Sequence, residues 1–452
     1  MRDSTAYTAD SSLPSIIAVS ALGAVFGGSI AALLVVGFTE MLKALLAVVS
    51  RQNIWLLILV PLVGIALSVL VLYRLGLSEE QCLQRPRRAP KWRTFPPDSA
   101  RSHLSDDVVS SAGHEERFPW HLAPIRLLAI FATVGLGGPM GTEAPAAYLG
   151  VATGAALGVR WRRLVRPAAV GGGAAGVAAL MGIPLVGTAY ILELEHRHKA
   201  PLSVERVTAA LVGGLVGWLL NIWLGVNLIR LVVPKEPPHS FYQAVITALP
   251  IGVLSGSITS ICGAAIYKAK AWRASPILRL ELGGLALGVA AVMIALIASP
   301  SAAIGPGGGA ITWVESATGT AAIAVLVVDL LRAVATTAAA AAGGCGGLFV
   351  PFLAIGDLAG RAFAPSLEIP SDLAGAAGAA GGISGGYHLP LTAVALVLSQ
   401  GGPRLAVLTC LATVVVATFA GTWSAKLVDR ILALRRSAIA KTAVIAEDPY
   451  SF

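Results

Sequence analysis

Apolar runs of the length that crosses a bilayer, about 20 residues, recur along the chain, from Ile16 to Phe38 and Ile54 to Tyr73 through to Leu405 to Ala420. The pattern predicts an all-α, multi-pass transmembrane helical bundle. A polar stretch, 78–119, follows the first two runs and is rich in Pro, Arg and Asp, as in "QRPRRAPKWRTFPPDSARSHLSDD". It reads as an extramembrane loop. From Trp120 apolar segments run almost continuously to Ala425, with a smaller polar break from Pro234 to Ser240. The expected divisions are 1–77 with the first membrane helices, the loop 78–119, two core halves at 120–233 and 241–436, and a short tail 437–452.

The two halves repeat each other. Pro145 aligns with Pro351 at an offset of 351 − 145 = 206, and the same offset pairs Gly141 with Gly347, Gly150 with Gly356, Gly154 with Gly360 and Gly176 with Gly382. It still holds at Pro184-Leu185 and Pro390-Leu391, without a gap across about fifty residues. Repeated halves with glycine- and proline-broken helices at matching positions mark a transporter-type fold, of the inverted-topology kind, with substrate bound where the broken segments meet.

In that register Glu143 of "GTEAP" matches Phe349 of "GGLFVP". In both stretches glycines precede a Pro that suits the first turn of a helix, so backbone N–H groups are exposed at a helix N-terminus. Two such termini facing each other form an anion site from dipoles alone, without a cationic side chain to hold the anion too tightly for passage. Glu143 is the sole charge from Phe131 to Val159, and a carboxylate kept at membrane depth is usually functional. Ionised, it competes for the anion's seat; protonated, it swings aside and carries a proton. The bland alternative is an N-terminal cap that satisfies its own helix.

Composition agrees with a membrane protein: 56% of residues are hydrophobic, 13% are charged, and mean hydropathy is +0.77. The net charge of +9 comes from clusters between apolar runs, such as Arg160, Arg162, Arg163 and Arg166, which record topology by the positive-inside bias and not nucleic-acid binding. Cysteines 82, 262, 345 and 410 lack the spacing of a zinc site or a disulfide framework. The opening "MRDSTAYTADSS" has no small-residue cleavage site, so a retained N-terminus is expected.

These stretches resemble the CLC family of chloride channels and chloride/proton antiporters. Its motifs G(K/R)EGP and GxFxP are similar to Gly141-Thr142-Glu143-Ala144-Pro145 and Gly347-Leu348-Phe349-Val350-Pro351, and its "APLTGI" segment resembles Leu389 to Val394. "IPLVGTAYILELE" and "IGPGGGAI" resemble two further family segments, so that the likeness runs from about Ala123 to the C-terminus. It implies a gate at Glu143 and an anion site at Gly141, Thr142, Gly347, Leu348, Phe349 and Val350. It also implies a homodimer with one pore per subunit, and Trp423 in "TWSAKL" in place of the family's central tyrosine. Thr142 replaces the basic residue before the gate, and Ala144 the glycine after it. The serine motif GSGIP is missing; counting back from Glu143 puts Ser102 at the serine position. Leu194, flanked by Glu193 and Glu195, stands where many antiporters have an internal proton-transfer glutamate.

The expectation is transport of chloride or a similar small anion, as a channel or as a proton-coupled exchanger, in a bacterial inner membrane. The alternative is a fluoride/proton antiporter of the divergent branch. No cofactor beyond a bound halide is expected, and no metal. An intramembrane enzyme using Glu143 as a base lacks a partner nucleophile. "HRH" at 196–198 reads as a solvated loop, and the glycines at 305–309 lack the Lys-Ser/Thr ending of a phosphate loop. Asp329 with Arg332, and Asp357 with Arg361, have the spacing of structural ion pairs.

Overall fold

The computed structural model describes residues 12–50, 54–75, 104–196, 200–225, 240–271, 275–316, 321–400 and 407–447. Among them are 17 α-helices and no sheet beyond one isolated bridge. The first half comprises α1 (Leu13–Ser50), α2 (Ile54–Leu75), α3 (Leu104–Ser110), α4 (Ala123–Gly135), α5 (Glu143–Gly158), α6 (Val165–Met181), α7 (Pro184–His196) and α8 (Val204–Leu224). The second comprises α9 (Phe241–Ala271), α10 (Pro276–Ile297), α11 (Pro300–Ala303), α12 (Gly308–Ser316), α13 (Ala322–Ala342), α14 (Phe349–Leu367), α15 (Ser371–Gly386), α16 (Pro390–Gln400) and α17 (Val407–Glu447). Seven, namely α1, α6, α8, α9, α10, α13 and α17, are long and apolar enough to cross a membrane. The protein is an integral, multi-pass membrane protein.

Packing repeats with the sequence. α1 lies on α6 and α8 as α9 lies on α15 and α17, and α2 lies on α4 as α10 lies on α13. The repeat therefore begins with α1, earlier than the boundary at Trp120 expected from the sequence. At the centre, α6 and α15 press against α5 and α14 through glycines: a Cβ at Gly150 would overlap the Gly172 carbonyl, and one at Gly356 the Gly378 carbonyl. Both contacts are 206 positions apart in the chain, so the small residues that set the offset are those that let helix backbones touch, the usual basis of packing where lipid removes the hydrophobic drive.

Two expectations about boundaries change. The last part of the polar stretch, 104–119, is folded into the bundle, with Leu104, Val108 and Phe118 buried. Its charges meet partners from later segments: Asp107 pairs with Arg126, and Glu115 pairs with Arg206 and, at 3.2 Å, with Arg166. The tail expected from 437 instead continues α17 to Glu447.

Candidate functional site

The segments ahead of α5 and α14 meet as an antiparallel pair. Gly141 N–H donates to the Gly347 carbonyl at 2.8 Å, and Gly347 N–H donates to the Gly141 carbonyl at 2.7 Å. A reciprocal antiparallel bridge between repeat-equivalent residues lies on a local two-fold axis that relates the two halves. One residue past each bridge the chain turns into helix. Thr142 has φ −107° and ψ −4°, and Leu348 has φ −114° and ψ −7°; neither side chain caps its helix. Neither N-cap residue therefore satisfies the first-turn amides of its own helix.

Glu143 fills that gap from the other half. Its carboxylate is fully buried, and Oε1 accepts a hydrogen bond of 2.6 Å from Phe349 N–H, the head of α14. The amides of Thr142, Val350 and Glu143 itself also approach the carboxylate, while Oε2 has no hydrogen-bond partner among the described residues. A cap confined to its own helix does not describe this contact. Both bridge glycines are needed for it, since a Cβ at Gly141 would overlap Oε2 and one at Gly347 would overlap Oε1.

The structure brings together Gly141, Thr142, Glu143, Gly347, Leu348, Phe349 and Val350, as the motifs suggested. It does not bring Trp423 to them: that side chain is 60% exposed on the outward face of α17, because α17 runs on as one continuous helix. Ser102 lies outside the described residues. A group of hydroxyls that the motifs did not indicate stands beside Phe349 instead. The Phe349 ring packs edge-on against Tyr190 of α7 and Tyr387 just after α15, with centroids 5.8 and 6.0 Å away. The Tyr387 hydroxyl lies 2.7 Å from Ser105 Oγ of α3 and 3.4 Å from the Tyr190 hydroxyl. The available signal was a tyrosine in otherwise apolar helical sequence, since a buried phenol must find a polar partner. A cavity of about 450 Å³, lined by Ser260, Tyr267 and Asp429, borders Gly386 and His388, the two neighbours of Tyr387.

A match to the voltage gated chloride channel family model spans residues 89–422. The chain belongs to this family. Among chloride-channel relatives, the H(+)/Cl(-) exchange transporter ClcA of Yersinia pestis bv. Antiqua (strain Angola) is 26% identical over 361 residues, covering 73% of this chain and 72% of the relative. ClcA of Salmonella typhi is 25% identical over 354 residues, with the same coverage. The fold is similar to that of a slow cyanobacterial Cl-/H+ antiporter (TM-score 0.68, 21% identity, 92% of this chain and 98% of that one). It is equally similar to a CLC-type fluoride/proton antiporter (TM-score 0.70, 21% identity, 91% and 97%).

The acids around Leu194 are engaged in this family member. Glu193 accepts from Leu391 N–H and Thr392 N–H at 2.7 Å each and from Thr392 Oγ1 at 2.6 Å, which caps α16. Glu195 is held by Arg206 at 3.0 Å, in a network that joins buried Glu115 to part-exposed Arg166 and Glu205. The Asp357–Arg361 pair forms, at 2.6 Å. Asp329 and Arg332 do not pair: Arg332 donates to the carbonyls of Ala302, Ala303 and Gly305, which are left open where the chain leaves α11. Spacing puts two groups on one helix face, but here the neighbouring backbone is the better acceptor. His196 is described, while Arg197 and His198 of "HRH" lie outside the described residues. Among the described residues no three His, Cys, Asp or Glu converge as metal ligands.

Proposed function

We propose that the protein exchanges chloride for protons across a bacterial inner membrane, with Glu143 as the gate and proton carrier. The observation that carries this reading is the 2.6 Å bond from Phe349 N–H to the Glu143 carboxylate. A helix N-terminus that accepts a carboxylate is built for an anion, and a small halide fits the same donors. The carboxylate is then a tethered competitor. Ionised, it keeps the seat; on taking a proton it loses most of its attraction for the amides, leaves, and admits an anion.

The Ser105 and Tyr387 hydroxyls share one hydrogen bond, which leaves the other O–H to donate beside Phe349, the role for which the sequence nominated Ser102 and Trp423. Neutral donors hold an anion without trapping it. The cavity beside His388 is the aqueous approach to that pair. The relatives named as H(+)/Cl(-) exchange transporters support both substrates, and the family resemblance supports a homodimer with one pore in each subunit. No step in this scheme needs a cofactor or enzymatic turnover.

The test is the reversal potential of the protein in planar bilayers under opposed chloride and proton gradients. Exchange is expected to shift the potential with the proton gradient at fixed chloride. A potential set by chloride alone makes the protein a channel, and efflux of fluoride from proteoliposomes at least as fast as chloride overturns the chloride assignment.

A further inference from the structure

The second repeat contains a group of acids that transport through the Glu143 seat leaves unused. Arg361 of α14 is shared by three carboxylates: Asp357 at 2.6 Å, Glu315 of α12 at 3.1 Å and Asp372 of α15 at 3.2 Å. Arg361 and Asp357 are buried, while the side chains of Glu315 and Asp372 are 29% and 30% exposed. Behind them on α13 is Asp329, which is fully buried and within electrostatic range of Asp357. Neither Asp329 oxygen has a hydrogen-bond partner among the described residues.

Positive charge does not reach Asp329. Arg332, one turn along α13, spends its guanidinium on three carbonyls. From α14 comes Asp357, already held by Arg361, and from α9 comes the Cys262 thiol. On α10 the charged side chains Arg279 and Glu281 sit toward the opposite end of α13, where Arg279 donates to the Ala341 carbonyl. The surroundings are aliphatic, with Val325, Val328 and Leu358 in one buried cluster. An ionised carboxylate with both oxygens unpaired is costly in such a medium, whereas a carboxylic acid needs no countercharge.

We propose that Asp329 is a proton-binding site, loaded from the aqueous face through Glu315 and Asp372 by way of Asp357. The two part-exposed acids collect protons and Arg361 holds them beside Asp357. From Asp329 the same face of α13 leads to Thr336, whose Oγ1 donates to the Pro139 carbonyl at 3.3 Å, two residues before the Gly141 bridge. Seven residues of helix are about 10 Å, so the proton is stored some two turns from the gate. This deepens the proton-coupled reading, but its test reads the proton on the carboxyl and not the flux, so either can fail alone.

Infrared difference spectra of the full-length protein in liposomes, with aspartate carbon selectively labelled, report that proton directly. A label-sensitive carboxylic-acid band is expected at neutral pH and is expected to vanish in Asp329→Asn. If Asp329→Asn does not fold, Asp329→Glu is expected to move the band from the aspartate to the glutamate label. After a pH jump, the double variant Glu315→Gln/Asp372→Asn is expected to load the band about tenfold more slowly, as loss of a steering charge does. Absence of an aspartic-acid band, its persistence in Asp329→Asn, or its failure to follow the label in Asp329→Glu overturns the site. Unchanged loading in the double variant overturns the route.

Discussion

Glu143 hydrogen-bonds Phe349, and Phe349 is its own repeat mate, 206 residues away. The inverted repeat therefore does more than duplicate a helix pair. It places a carboxylate from one half against the N–H donors of the equivalent position in the other, and at that register the two halves differ: an acid in one and a phenyl ring in the other. Symmetry builds the seat and the asymmetry supplies its competitor.

Removing the competitor should tighten anion binding. A hydrogen bond to a charged group is worth about 1.5–3 kcal/mol, so Glu143→Ala is expected to raise halide affinity between about tenfold and about a hundredfold. Isothermal titration of chloride into the purified protein measures it. In proteoliposomes the wild type should transport faster as pH falls, because acid protonates and releases the gate, while Glu143→Gln should be flat across the same range. A Gln variant that keeps the wild-type pH slope would remove Glu143 from the gate.

The bridge glycines give a steric version of the same experiment. A methyl group at position 347 would collide with Glu143 Oε1 and its carboxyl carbon, and would lie 3.1 Å from the Ala144 amide. Overpacking of this kind costs about 1–3 kcal/mol. Gly347→Ala is expected to keep the fold, by its elution profile, and, by pushing the carboxylate from its seat, to flatten the pH dependence of chloride efflux as Glu143→Gln does. A wild-type pH slope from a folded variant would show that the carboxylate does not need this cradle.

Much of that arrangement was legible in the chain because its requirements are local. Glycines where backbones touch, a proline in a helix's first turn, and one isolated acid all leave marks within a few residues, and the offset of 206 joins them. The hydroxyl group did not leave such marks. Ser105 and Tyr387 are 282 residues apart, and neither sits in the gapless stretch with a hydroxyl at its mate. The stretch 104–119 read as a loop because it closes a segment rich in Pro, Arg and Asp; the arginines that fix its acids in the bundle, Arg126, Arg166 and Arg206, arrive from later in the chain. Trp423 was read from the likeness of "TWSAKL" to the family's tyrosine segment, and in the fold it lies on the exposed face of α17.

The Tyr387 hydroxyl is testable apart from the gate. It meets both Ser105 and Tyr190, so Tyr387→Phe removes one donor while preserving the ring packing on Phe349. A neutral hydrogen bond contributes about 0.5–1.5 kcal/mol, which predicts chloride binding weaker by about twofold to about tenfold. Trp423→Phe, on the outward face, is expected to leave affinity unchanged. The reverse ranking by titration would return the indole to the site and dismiss the phenol.

The buried network around Arg206 predicts a stability effect with no direct part in transport. Arg206 meets Glu115 and, at 3.0 Å, Glu195, and all three are almost completely buried. Arg206→Met leaves Glu195 without this cation and Glu115 with Arg166 alone. Stripping a buried carboxylate of its partner costs about 3–5 kcal/mol, so the midpoint of thermal unfolding in detergent should fall by several degrees. Glu205 is 23% exposed and pairs with Arg166, itself 32% exposed. Solvent screens that contact, and Glu205→Gln should cost less than about 1 kcal/mol. The fold supplies a reason for the difference: Arg206 ties α8 to the segment after α3, and α3 carries Ser105. A loosened Arg206 variant should therefore also bind chloride less tightly than Glu205→Gln does. Equal midpoints for the two variants would mean that the network is not what holds 104–119 in the bundle.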